Sequence, residues 1–303
     1  MKKLFSIIVF AAFISLILIS CSEMNKDLPS SPANLSFHPI GINSPASPNF
    51  HGRLVAQKDW TMRVCKQCHG NNYQGGIIKE QSGNCLNCHT QPNGPEACNT
   101  CHGDFADPTK IAPPRALNGS ISSSYPGVGA HVKHLYNLSS AKEVECNECH
   151  IVPTLFLSEG HFDDTPKSEI VFGNLTKTIT NEPTTNDYDS NLPLFTPNPS
   201  YDYGTNSCSN TYCHGYFKNG NTNNVVKFTE GSAGAKCGSC HGDPNTGNSL
   251  PKTPAQGGTH PNVSTCHTCH SGIVDLVGGN YVIVDKSKHI NGKLNIFGQE
   301  RDY

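Results

Sequence analysis

The residues that could do chemistry in this chain are its cysteines and histidines, and their spacing is not random. Of 15 cysteines in 303 residues, all but Cys21 fall into pairs followed at once by histidine. Six pairs have two residues between them: Cys65/Cys68, Cys85/Cys88, Cys98/Cys101, Cys146/Cys149, Cys237/Cys240 and Cys266/Cys269. Cys208/Cys213 has four. The histidines that follow are His69, His89, His102, His150, His214, His241 and His270. Cys-x-x-Cys-His is the attachment signature of c-type haem. Two thiols add across the two vinyl groups of one porphyrin, and the adjacent imidazole reaches the iron as its fifth ligand. The two extra residues in Cys208–Cys213 are expected to loop outward without moving the thiols or His214.

Three other chemistries use paired cysteines, and each fits less well. A zinc ribbon has no need of a histidine directly after every pair. A disulfide scaffold predicts no histidines at all. A thioredoxin-like pair occurs once, beside a βαβ pattern that this sequence lacks. The reading is therefore seven covalently bound haem c groups, one per motif.

The histidine arithmetic extends the reading. Removing the seven motif histidines from 15 leaves eight. His267 lies inside the Cys266–Cys269 loop and is the poorest candidate for a second axial ligand. His38, His51, His131, His134, His161, His260 and His289 remain, one for each iron. All seven motifs end in His, so no unusual fifth ligand marks a substrate-binding iron. Met raises a haem's potential relative to His, but only Met1, Met24 and Met62 exist, and Met62 reads as packing. Low-potential, bis-His haems are expected throughout, with no catalytic residue. Asp163-Asp164 reads as a solvated turn, and Trp60 and the tyrosines as packing against porphyrin edges.

The elements that must position these groups are sparse. Apolar residues, Gly included, are about 41% of the chain against about 45–50% in globular proteins, and Gly plus Pro is high at about 16%. Such a chain is short of side chains for a core, and buried macrocycles would supply the missing apolar area. No amphipathic helix of ordinary length lies between motifs. Ser168–Leu175, Val225–Thr229, Ile273–Val277 and Tyr281–Asp285 read as short strands, the last two as a hairpin around Gly278-Gly279-Asn280. Asn181 to Tyr203 reads as irregular. Gly70, Gly103, Gly215 and Gly242 follow motif histidines and are expected to end each helical turn at positive φ. The fold class expected is a multihaem cytochrome c: mostly irregular coil, short helices and a few β ribbons wrapped around stacked haems.

The N-terminus carries an export signal. Met1-Lys2-Lys3 precedes an apolar stretch, Leu4 to Ile19, too short for the roughly 20 residues of a membrane span. Leu18-Ile19-Ser20-Cys21 has the form of a lipobox, with Cys21 the lipidated residue. Residues 1–20 read as a lipoprotein signal peptide, 21–47 as the lipidated cysteine and a flexible tether, and 48–303 as the seven-haem unit. Ser22 after Cys21 favours the outer membrane, facing periplasm or cell exterior, with the lipid as the sole membrane contact.

The segments Cys208-Ser209-Asn210-Thr211-Tyr212-Cys213-His214-Gly215 and Cys237-Gly238-Ser239-Cys240-His241-Gly242 resemble the paired CxxxxCH…CxxCH motifs of multihaem cytochromes from metal-reducing bacteria. The resemblance runs over roughly 38–297, through His38-Pro39-Ile40-Gly41, Ser47-Pro48-Asn49-Phe50-His51-Gly52, Gly129-Ala130-His131-Val132-Lys133-His134-Leu135, Gly160-His161-Phe162-Asp163 and Lys288-His289-Ile290-Asn291-Gly292-Lys293. It implies an exported electron carrier in anaerobic or extracellular respiration. Its partners would be other redox proteins, such as cytochromes, or extracellular and metal acceptors. A reductase of a small oxyanion or of a nitrogen or sulfur compound, and a subunit of a conductive filament, stay open as alternatives.

Charge sets the kind of partner. The formal net charge of −2 gives no field for nucleic acid. Loss of the signal lysines and about −1 per ferric bis-His haem bring the oxidised holoprotein to about −11, a surface that attracts basic partners.

Overall fold

The computed structural model describes residues 38–75, 83–107, 109–111, 115–136, 139–162, 167–180, 194–231 and 235–303. The signal segment, Cys21, Met24, most of the tether and Asp163-Asp164 lie outside them. The chain divides at Met62 and Arg63 into two compact units. In the first, a series of turns leads into helix α1, His51–Ala56. The main-chain N–H and ring Nδ1 of His51 both bond the Ile42 carbonyl, at 2.8 and 2.9 Å.

Among its described residues the second unit is mostly coil, with helices of one or two turns and three small antiparallel sheets. Helices α2 (Arg63–His69) and α3 (Cys98–His102) each hold a Cys/Cys/His motif, and α5 (Cys266–Cys269) holds a cysteine pair with His270 as its C-cap, while α4 (His131–Tyr136) holds two other histidines. Further motifs use single 3₁₀ turns at Cys85–Asn87, Cys146–Glu148 and Tyr212–His214. The reason is local. Two residues between cysteines fill one turn, and the first cysteine's carbonyl closes it. Cys85, Cys146 and Cys266 each accept the N–H of their motif histidine at 2.9 Å. A turn held this way needs tertiary support, since helices this short are unstable alone.

Strands β1 (Ser200–Asp202), β2 (Ser207–Ser209) and β3 (Val226–Lys227) form one sheet in that order. Tyr201 and Val226 pair with Cys208 from either side. Strands β4 (Val274–Val277) and β5 (Asn280–Ile283) form the expected hairpin. Its turn is the two residues Gly278 and Gly279, both at positive φ, as the twist of a tight hairpin requires. A second hairpin joins β6 (Leu294–Ile296) to β7 (Gln299–Arg301).

Three expectations differ from what forms. Ser168–Leu175 joins no sheet among the described residues: its Val171 and Gly173 N–H groups bond a motif turn, at Cys149 O (2.9 Å) and Glu148 O (3.0 Å), and Leu175 opens a 3₁₀ turn. Residues 200–202, expected to be irregular, are β1, recruited by the strand that carries Cys208. Gly70, Gly215 and Gly242 have positive φ, but Gly103 is extended at φ −145°. It is needed for closeness instead: a Cβ there would lie 2.0 Å from Lys110 O.

The apolar interior is thin. Among the described residues the buried apolar side chains are mostly small, including Ala97, Ala116, Ala130, Ala141, Val128 and Val226. Meanwhile Ile151, Leu155 and Leu157 are exposed at 74, 73 and 64%. Large aliphatic groups normally fill a core; here they line open surface beside the motif of His150. No helix among the described residues is long and apolar enough to cross a membrane.

Candidate metal centres

The fourteen motif cysteines are free of disulfides. Their exposure is uneven: Cys65, Cys68, Cys88, Cys98, Cys146 and Cys237 are exposed, and the other eight are half-buried. The physical reason is local. Cys88 follows the Cys85–Asn87 turn and closes it, its N–H bonding Cys85 O at 3.2 Å, while Cys85 is drawn under by its own N–H to Tyr73 O at 3.0 Å. The turn thus ends at the surface and puts the Cys88 residue there. Such a placement suits attachment chemistry, because a thiol that adds to a vinyl group has to be reached from outside the chain.

Among the described residues no three His, Cys, Asp or Glu side chains gather as a metal cage requires, so the zinc alternative has no site there. The histidines are arranged in a different way, as opposed pairs. His102 faces His161 with ring centres 6.0 Å apart, and His150 faces His131 at 6.1 Å. His214 faces His134 at 6.0 Å, His241 faces His289 at 6.4 Å, and His270 faces His260 at 6.4 Å. Each pair joins one motif histidine to one histidine outside the motifs.

That separation has a physical meaning. An imidazole nitrogen bonds a metal at about 2.0 Å and lies about 1.1 Å from its ring centre, so two rings on opposite sides of one ion have centres about 6.2 Å apart. The observed separations are the right ones for two rings that share an ion. His267 is outside this set; its ring stacks on Tyr281 at 5.9 Å.

Protonation favours the same chemistry. The ring Nδ1 atoms of His131, His134, His161, His260 and His289 donate to the carbonyls of Val128, Ala130, Phe156, Pro261 and Ser140. Those of His69, His150, His241 and His270 donate to Gly83, Glu169, Ser249 and Asn295. A carbonyl only accepts, so the proton sits on Nδ1 and the bare Nε2 is left for a metal. Burial also disfavours the imidazolium form. It pushes His131 and His214 down to about 4, the latter helped by the nearby charge of His134. The same cause lowers His102, His241, His260 and His289. His214 Nδ1 is buried and, among the described residues, has no hydrogen-bond partner.

The motifs are tied to one another by side chains that carry no sequence signature. Glu96, two residues before Cys98, takes an ion pair from Lys66 at 2.9 Å and a hydrogen bond from the Tyr73 hydroxyl. Since the Tyr73 carbonyl also holds Cys85, the first three motifs share one polar node. Asn221 donates to the carbonyls of Gly238 and Gly242 at 2.8 and 3.1 Å, fastening the loop around Cys240. Cys240 Sγ lies 3.6 Å from Cys213 O. The Asn295 side chain, buried, donates to Lys288 O at 2.9 Å while its carbonyl holds His270. Phe228 lies against both His131 and His134. No spacing rule would have singled out these residues; Phe228 shows in the sequence only as part of an expected strand.

The Cys208–Cys213 loop differs from the outward bulge expected. Cys208 lies in β2, Asn210 turns the chain at φ 56°, and Cys213 lies in the 3₁₀ turn. Thr211 and Tyr212 are buried. Tyr212 is drawn inward by Phe217 and by Tyr303, whose hydroxyl is 3.1 Å from its own. The four intervening residues thus connect a strand to a turn.

His51 is in the first unit, bonded to Ile42, and His38 is an exposed residue of that unit. His69 and His89 are in the second, where the His89 ring meets the edge of Phe105 at 5.2 Å.

Repeated Cys/Cys/His turns in a coil-rich fold, with imidazole rings paired at 6.0–6.4 Å, are compatible with a multihaem c-type cytochrome. Residues 207–241 match the family model for the Geobacter CxxxxCH...CXXCH motif. That segment holds Cys208, Cys213, His214, Cys237, Cys240 and His241, and the motif implies covalently bound haem c. No curated protein and no solved structure matches the chain.

Proposed function

We propose that the protein is an exported, lipid-anchored heptahaem cytochrome that relays electrons in anaerobic or extracellular respiration. The observation that carries this reading is the set of five motif/non-motif imidazole pairs at 6.0–6.4 Å. It supports six-coordinate iron, because each pair offers two nitrogens and leaves no open side for a substrate. A bound haem c supplies reversible one-electron iron chemistry.

The chain's own part is to hold that iron without rearrangement. The cysteine pairs would fix each macrocycle, and the motif histidines would be the fifth ligands. His161, His131, His134, His289 and His260 would be the sixth ligands opposite His102, His150, His214, His241 and His270. The histidine count leaves His38 and His51 as the remaining candidates for a sixth ligand. Carbonyls on Nδ1 fix each ring's tautomer and keep it a good donor. The exposed aliphatic groups at 151–157 and the scarcity of large buried side chains also fit a fold completed by macrocycles. Export is what the haem reading requires, since haem is attached to such motifs outside the cytoplasm, and the lipobox form of Leu18-Ile19-Ser20-Cys21 supports a lipid on Cys21. Donor and acceptor would be other redox proteins or extracellular and metal acceptors.

Magnetic resonance and near-infrared spectra of the purified ferric protein test the reading, together with its intact mass for the haem count. Low-spin iron throughout is expected. A stoichiometric high-spin haem that binds cyanide or nitrite would overturn the carrier and make a reductase of it.

A further inference from the structure

We propose that helix α4 is a two-iron bracket, in which His131 binds the iron of the His150 motif, His134 binds the iron of the His214 motif, and Phe228 is the positioning residue that sets both rings. The proposal rests on the bis-His reading above and adds to it which two centres share one structural element.

The two histidines are three residues apart on a helix of six residues, so they sit on one face and move together. Each ring is locked one turn back along the chain, His131 Nδ1 on Val128 O and His134 Nδ1 on Ala130 O, both at 2.9 Å. Val128 and Ala130 are themselves buried. The rings nonetheless serve different partners. His131 faces His150 at an interplanar angle of 23°, and His134 faces His214 at 76°.

Phe228 accounts for that difference. Its ring meets His131 edge-on, at 4.9 Å and 88°, and lies nearly parallel to His134, at 6.2 Å and 23°. One flat side chain therefore limits the rotation of both imidazoles. Its own place is fixed from the second motif's side: the Phe228 N–H bonds Asn206 O at 2.7 Å, and the preceding β3 pairs with the Cys208 strand. Gly129 makes the approach possible, because a Cβ there would fall 2.1 Å from the phenylalanine ring. The other motif is fastened to α4 through its backbone. Val144, two residues before Cys146, donates to His134 O at 2.9 Å. Both motifs are thus built onto one helical turn.

The angles supply a readout that does not depend on electron-transfer activity. Parallel imidazole planes push the two iron dπ orbitals apart in energy and give a rhombic low-spin ferric signal. Perpendicular planes leave those orbitals nearly equal and give a strongly anisotropic one. The bracket therefore joins a rhombic centre to an anisotropic centre.

The test compares ferric His131→Ala, His134→Ala and Phe228→Leu holoproteins with the wild type by electron paramagnetic resonance and cyanide titration. His131→Ala is expected to lose one rhombic component, and His134→Ala one anisotropic component. Each should gain one equivalent of high-spin, cyanide-binding iron that free imidazole reverses. Phe228→Leu should keep every iron low-spin while shifting one component of each kind. Where an alanine variant yields no holoprotein, the methionine variant keeps a sixth ligand and should raise the potential of a single haem of the same class. Loss of the same component in both histidine variants, or of none, overturns the bracket. An unshifted Phe228→Leu spectrum with lowered thermal stability overturns the positioning role. High-spin iron in the wild type would instead be a failure of the bis-His reading, so the two are told apart.

Discussion

Removing the carboxylate of Glu96 should loosen the corner where the first three motifs meet, and the effect should depend on pH in a defined way. Glu96 accepts from the Tyr73 hydroxyl and from Lys66 Nζ, and the side chains of Lys66 and Glu96 are about three-quarters buried at 25 and 26% exposure. A hydrogen bond to a charged group is worth about 1.5–3 kcal/mol when buried. Partial exposure places this one near the lower end, and the ion pair adds about 0.5 kcal/mol. Glu96→Ala strands a buried tyrosine hydroxyl as well, so a loss of about 2–3 kcal/mol is expected. Glu96→Gln keeps an acceptor and should cost about 1 kcal/mol. Burial opposes ionisation of Glu96, but the hydrogen bonds from Tyr73 and Lys66 outweigh it and hold the carboxyl below its ordinary value. The stability it gives is therefore complete above the unfolded pKa and fades as pH falls through the folded one. At the alkaline end, burial and then the bond to Glu96 push Tyr73 up to about 12, and the hydrogen bonds that Lys66 donates to Tyr73 and Glu96 raise Lys66. That stability is present below the unfolded values and is lost as pH rises through the folded ones. Denaturant unfolding of holoprotein should show a gap between wild type and Glu96→Gln that is constant through neutral pH and closes at both extremes. Equal stability at pH 7, or a gap that persists unchanged into acid, would refute the reasoning.

Other perturbations are as specific. Gly103→Ala drives a methyl group into Lys110 O at 2.0 Å and should cost about 1–3 kcal/mol, read as a fall in melting temperature with the ferric spectrum unchanged. His267→Ala should leave every iron low-spin, since that ring stacks on Tyr281; a new high-spin signal would reassign His267 as a ligand. Asn295→Ala removes the bond to Lys288 O from a buried site at a cost of about 1–3 kcal/mol. Its spectral effects should be confined to the centres of His270 and His289, and a change elsewhere would contradict the local coupling. Finally, the association rate with a basic redox partner should fall as ionic strength rises, and a flat profile would defeat electrostatic steering.

The proposed chemistry is legible in the sequence because covalent attachment would leave no freedom. Two thiols and an imidazole would have to meet one macrocycle, which asks for Cys65-x-x-Cys68-His69 and its counterparts at a fixed local spacing. The same limit made the coil-rich class and the Gly278-Gly279 hairpin readable, since short elements follow from near neighbours. How far each thiol is covered was not readable: Cys85 and Cys88 look alike in sequence, and only the bond to Tyr73 separates the half-buried one from the exposed one. The proposed second ligands are not local either. His289 is bonded to Ser140, 149 residues away, and no pattern in either segment announces the other. Counting could give seven candidates, but only the fold could set His131 and His134 before different partners or turn one pair of rings parallel and another across. Gly103 shows the same division: the sequence marks it as a turn-ender, and packing against Lys110 gives it a different reason to be glycine. The inward course of Thr211 and Tyr212 was likewise decided at a distance, by an aromatic contact with Tyr303 at the far end of the chain. Ligand identity is a matter of bond chemistry and is written residue by residue, whereas ligand pairing and orientation depend on close packing between segments remote in sequence.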